Sequence, residues 1–138
     1  MIPNHKIGIA VTGKCCYVIR SDYLEMMDLS YQNNIYGQVL HNGHIALELV
    51  IKSAISRQRG MHPYGHEIRK LAKIEVNGTQ LLIEINKDPT VQKHFNAVYT
   101  AWKMHYRYEK KNVPPTEAIR YLNAFKEAYK WTRTKYCQ

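Results

Sequence analysis

Residues 42–58 read NGHIALELVIKSAISRQ. Ile45, Leu49, Ile51, Ala54 and Ile55 recur at helical spacing, and Ala46, Leu47 and Val50 widen the apolar face around most of the circumference. Such a helix must be covered on several sides, so it belongs at the centre of a packed domain. Gly60 follows it at the position where a left-handed residue ends a helix. The stretch therefore predicts a central helix over about Asn42–Gln58.

The neighbouring segments carry the same period. Upstream, Ser21 is placed to cap a helix running to about Asn34, with Leu24, Met27 and Tyr31 on one stripe and Met26 and Leu29 widening it. Downstream, Gly65 and His66 open a short helix to about Lys73. Residues 74–87 support two readings: Asn77-Gly78 between KIEV and TQLLIEI signals a hairpin, whereas Leu81, Leu82 and Ile85 fit a short helix. Asp88-Pro89 starts a helix to about Arg107, with Val91, Phe95, Val98, Trp102 and Tyr106 on its apolar face. A linker with Lys110, Lys111 and Pro114-Pro115 leads to a last helix capped by Thr116. Its stripe is Ile119, Leu122, Phe125, Tyr129 and Thr132, and Arg120, Lys126, Lys130 and Arg133 face solvent. Residues 1–20, rich in Ile and Val and punctuated by Thr12-Gly13, read as an N-terminal extension, either a small β-hairpin or a loosely attached arm. The fold expected is an all-α, up-and-down helical bundle over 21–138.

The chain has 138 residues, enough for one hydrophobic core, with 20 Lys and Arg against 11 Asp and Glu, a formal net charge of +9. That surplus draws polyanions: nucleic acid, nucleotides or an anionic surface. Cys15, Cys16 and Cys137 form no disulfide framework and point to free thiols in a reducing, cytoplasmic setting. No run approaches the ~18 apolar residues needed to span a bilayer, and no signal peptide is expected. His41 and His44, and His62 and His66, have ligand-compatible spacings, but no metal-binding motif accompanies them, so neither metal nor cofactor is expected. Walker, dinucleotide and serine-hydrolase signatures are absent too.

Three groups remain. Glu48 and Lys52 are four apart; on spacing alone they are a local helix pair worth ~0.2–0.5 kcal/mol, and their apolar neighbours would leave them less solvated than a surface pair. The loop from Arg57 to His66 gathers Arg57, Arg59, His62 and His66, in which arginines can grip phosphate and histidines can move protons. The plain alternative is a solvated basic loop. Arg107, between Tyr106 and Tyr108, could take a phosphate while the rings stack on bases, or it could simply cap a helix end.

Three motifs in order resemble the HEPN family: Ala46-Leu47-Glu48-Leu49-Val50-Ile51-Lys52, Gly65-His66-Glu67-Ile68 leading to Leu71, and Arg107-Tyr108 followed by Thr116-Glu117-Ala118 and a terminal helix. The resemblance covers about residues 21–135, and its ending is similar to the Arg-Tyr branch. It implies a helical bundle that pairs into a homodimer and binds a nucleotide or RNA, in a defence, toxin–antitoxin or nucleotidyltransferase-associated context, with such a protein as a further partner. The nucleotide-binding set it implies is Glu48, Lys52, Arg57, Arg59, His66, Arg107 and Tyr108, with Glu48 orienting Lys52 or Arg107. Two alternatives accompany it. One is a metal-independent endoribonuclease in which His62 or His66 deprotonates a ribose 2′-hydroxyl and Arg57 or Arg59 stabilises the phosphate charge. The other is a non-catalytic dimerisation module. The nuclease pattern of Arg, four to six residues, then His occurs as Arg57 to His62 and Arg59 to His66. Both pairs fall after the second helix rather than on a later one, so the leading expectation is binding.

Overall fold

A computed structural model describes residues 22–60, 63–103 and 113–137. Within them run α1 (Asp22–Gln32), α2 (Tyr36–Arg59), α3 (Ile68–Leu71), β1 (Glu75–Val76), β2 (Thr79–Gln80), α4 (Leu81–Asn86), α5 (Pro89–Ala101) and α6 (Pro115–Tyr136). The all-α bundle is therefore present, with one very small sheet. The N-terminal extension, Ser21, His62, Arg107, Tyr108 and the Lys110-Lys111 run lie outside the described residues.

Helix α2 is the axis of the fold. It packs against α1 and α6, and α3 and β1 close over the rest of it. Val39, Leu47, Val50, Ile51, Ala54 and Ile55 are wholly buried along it. It begins at Tyr36, nearly two turns before the expected Asn42, because Val39 and Leu40 are also core residues. Gly37 in the first turn and the lack of a side-chain cap concealed that start. The far end stops as expected: Gly60 has φ +64° and its N–H donates to the Ser56 carbonyl at 2.8 Å.

Gly43 lets three helices meet. A methyl group there would lie 2.5 Å from Cδ2 of Phe125 on α6 and 2.8 Å from Sδ of Met27 on α1. On α1 itself Met27 is buried, but Met26 and Leu29, expected to widen the apolar stripe, are exposed. One helix flank suffices because α1 covers only one side of α2 and α6.

The ambiguous stretch 74–87 contains both expected structures in series. Asn77 (φ +53°) and Gly78 (φ +82°) make the tight turn between β1 and β2, paired Glu75 with Gln80 and Val76 with Thr79. Helix α4 follows at once and buries Leu81 and Ile85. Asp88 then caps α5, its Oδ1 accepting from Thr90 N at 3.0 Å and Val91 N at 3.2 Å, with Pro89 in the first turn. On α6, Leu122, Phe125, Tyr129 and Thr132 are buried as expected. Ile119 is exposed, its place taken by Ala118 and Tyr121, and Thr116 lies inside the helix rather than at its cap. No helix among the described residues is long and apolar enough to cross a membrane.

Candidate functional site

One face of α2 breaks the apolar pattern. His44, Glu48 and Lys52 follow at four-residue steps, so their side chains stand one above another. All three are buried, at 1%, 7% and 5% exposure. The segment Gly65–Glu67 lies over them. Gly65, at φ +98°, provides a bend that a side chain would strain, and the chain returns to α2 immediately before α3.

Two hydrogen bonds stitch this segment down. Nε2 of His44 lies 2.7 Å from the His66 carbonyl. A carbonyl oxygen only accepts, so Nε2 carries the hydrogen and donates. In return Nδ1 of His66 lies 2.9 Å from Oε2 of Glu48 and donates to that carboxylate. Nζ of Lys52 donates to the same oxygen at 2.9 Å, and His44 Nε2 stands 3.6 Å from Oε1. The Trp102 ring, at the end of α5, stacks on His44 with centroids 4.9 Å apart and planes 24° from parallel.

The electrostatics follow from burial. One carboxylate and one ammonium leave water together, so Coulomb attraction and charged hydrogen bonds must offset the desolvation. The local-pair value expected from spacing does not apply to this sheltered geometry. Burial also lowers the pKa of His44, outweighing the His66 carbonyl and the Glu48 charge, which act in the opposite sense. His44 is thus neutral near pH 7. The His66 side chain is 71% exposed: its Nδ1 edge is spent on Glu48, and its Nε2 edge remains at the surface. Tyr64, two residues earlier, is 90% exposed.

Of the residues expected from sequence, Glu48, Lys52 and His66 converge. Lys52 is sealed beneath the surface against Glu48, which is not the geometry of a phosphate-facing lysine. His66 does not open the short helix: α3 starts at Ile68, after Glu67, without a side-chain cap. Arg59 lies on the same face of α2 as Glu48, about three turns along; its Nη1 donates to the Glu75 carbonyl at 3.1 Å and ties β1 to the helix end. Arg57, about two and a half turns from Glu48, lies on the opposite face. The Arg59 and His66 of the expected catalytic pair therefore have separate partners, β1 and Glu48.

His44, Trp102 and Tyr64 were not singled out as site residues from sequence. The legible signal for His44 was a polar residue four positions before Glu48 inside an apolar helix; nothing local marks Trp102 as its neighbour. Among the described residues no group of three or more His, Cys, Asp or Glu side chains is arranged to hold a metal ion.

Comparison with protein-family models matches residues 21–135 to the HEPN domain. Neither the curated proteins nor the solved structures give a match.

Proposed function

The chain belongs to the HEPN domain family over residues 21–135, and from that premise we propose that it is a nucleotide- or RNA-binding module whose ligand meets the His66 face of α2. The observation that supports this most is the Glu48–His66 bond: a buried carboxylate holds an exposed imidazole in one orientation. A stability role alone would not require the ring to remain at the surface. Tyr64 adds an exposed ring to stack on a base, and Arg59 adds a cation further down the same face. Lys52 acts through Glu48, bonding the same carboxylate oxygen that holds His66. Arg107 and Tyr108 join this set on the family resemblance. So do the homodimer and a nucleotidyltransferase or other defence protein as partner.

The test is fluorescence anisotropy with a labelled single-stranded RNA and, separately, a labelled adenine nucleotide. His66→Ala and Tyr64→Ala should each weaken binding at least fivefold while the melting curve keeps its cooperativity. If the parent binds neither probe, the chain is a structural pairing module and the proposal fails.

A second reading is favoured by the same bond. With Nδ1 donating to Glu48, a neutral His66 presents its Nε2 lone pair outward, the arrangement a general base requires. The reaction would be metal-independent cleavage of RNA at a 2′-hydroxyl. Cleavage that persists in excess chelator, is lost in His66→Ala and changes its pH profile in Glu48→Gln would establish it. No cleavage of structured or single-stranded RNA leaves binding as the function.

A further inference from the structure

On the other side of α5 lies a groove that the His66 site does not use. Lys93 and Trp102 are nine residues apart, about two and a half helical turns, so they point to opposite sides of the helix. Trp102 reaches His44. Lys93 instead lines a groove between α5 and α6 together with Gln92, Asn96, Thr100, Arg120 and Asn123. Ala97 and Ala124 form part of its lining from the two helices, and their small side chains leave it open.

Its chemistry is one-sided. The walls present two cations, three carboxamides and a hydroxyl, with no carboxylate among the lining residues. Lys93 makes no ion pair among the described residues. Arg120 lies over the Tyr121 ring at 4.8 Å and donates to its hydroxyl at 3.1 Å, a neutral acceptor. Glu117 also meets the Tyr121 hydroxyl, so one carboxylate, outside the groove lining, acts on the same group as Arg120. The neighbouring stretch of the same helix pair differs. There Lys130 is 3.7 Å from Glu127 and Lys135 is 3.5 Å from Glu84, so those cations are already matched. His94 borders both stretches.

We propose that the α5–α6 groove is a second anion-binding site that takes backbone phosphates of single-stranded RNA. Lys93 and Arg120 supply the charge, and the carboxamides of Asn96 and Asn123 donate to phosphate or ribose oxygens, while Gln92 Nε2 is held by Asn86 Oδ1 at 3.1 Å. Carboxamides both donate and accept, which suits a strand carrying phosphates and 2′-hydroxyls in alternation. The inference rests on the proposed function only for the class of ligand; the site itself is separate.

The experiment titrates the full chain with a labelled U20 strand across a salt series and follows the protein by NMR. The side-chain amides of Gln92, Asn96 and Asn123 report the groove, and the His66 ring reports the α2 face. The expected result is shifts at both places. Lys93→Glu with Arg120→Gln should weaken U20 binding about tenfold and flatten the slope of log affinity against log salt by roughly one, near 0.7 per phosphate lost. Lys93→Arg should retain the parent slope, and His66→Ala should leave the amide shifts in place. Shifts confined to the His66 face, with an unchanged slope in the double variant, overturn this inference and leave the proposed function standing. Shifts confined to the groove do the reverse. No U20 binding, or groove shifts only with anionic phosphatidylglycerol vesicles or an acidic peptide, overturns the RNA assignment of the groove.

Discussion

Glu48 places its carboxylate beneath the surface of α2, and two groups bond to it: Lys52 below and His66 above. Removing the charge leaves the Lys52 ammonium buried without its counter-ion. Glu48→Gln should therefore lower stability by about 3 kcal/mol, the order found when one partner of a buried pair is lost. Adding Lys52→Met should restore much of that loss, since an apolar side chain tolerates burial. Urea denaturation of the two variants reads this directly; a single variant as stable as the parent would show the pair to be solvated. His44 sets a pH dependence of known sign. Its folded pKa lies below the ordinary 6.5 because burial disfavours the charged ring. The unfolded chain then binds the extra proton first. The contribution is fully present above pH 6.5 and is lost as pH falls through the folded value. His44→Gln should flatten the decline in the urea midpoint just below pH 6.5. A decline of the same steepness in that variant would assign it to other groups.

At the scale of elements, the packing of α1, α2 and α6 turns on the missing side chain at Gly43. Ala is the better helix former by about 1 kcal/mol, yet its methyl would meet Phe125 and Met27 at 2.5 and 2.8 Å. Overpacking typically costs 1–3 kcal/mol, so Gly43→Ala should destabilise despite its gain in helix propensity, by about 1–2 kcal/mol in denaturant titration. Stabilisation would mean that the helices separate without cost. Helices α2, α5 and α6 were legible because each has an apolar period and at least one end signal, Gly60 for α2 and Asp88-Pro89 for α5; for α6 the expected cap, Thr116, falls one residue inside a helix that starts at Pro115. Residues 74–87 supported two readings because a two-residue hairpin turn and a six-residue helix share those fourteen positions. His66 lies outside the helix expected to start with it, its ring bonded to a carboxylate eighteen residues away, a contact that no local pattern reveals.

For the whole molecule, alkaline pH probes the core. Burial pushes the Tyr99 and Tyr136 hydroxyls up to about 12. The unfolded chain loses those protons near the ordinary value of 10, so stability should fall as pH rises from 10 towards 12. Circular dichroism should show cooperative unfolding in that window, and Tyr99→Phe should shift it upward. An unshifted transition would remove Tyr99 from the cause. The homodimer expected from the family should appear by sedimentation at micromolar concentration. The apolar face of α2 cannot supply its interface, because α1, α3 and α6 already cover that helix within one chain. A monomer at that concentration would remove the dimer from the proposed function.

Sequence alone determined the helical class, the central helix and the surplus of positive charge, because periodicity, end signals and composition are local properties of the chain. It also marked Glu48, Lys52 and His66 through motif resemblance. Only the tertiary structure decided what those residues do to one another. The stacking of Trp102 on His44 spans fifty-eight positions and depends on how α5 meets α2. The diversion of Arg59 to Glu75 depends on where β1 closes. The bond between Glu48 and His66 depends on the loop folding back over α2. Spacing along a helix states which side chains share a face; whether that face is wet, covered or paired is set by segments distant in the chain, and that environment governs the energy and reactivity of a charge.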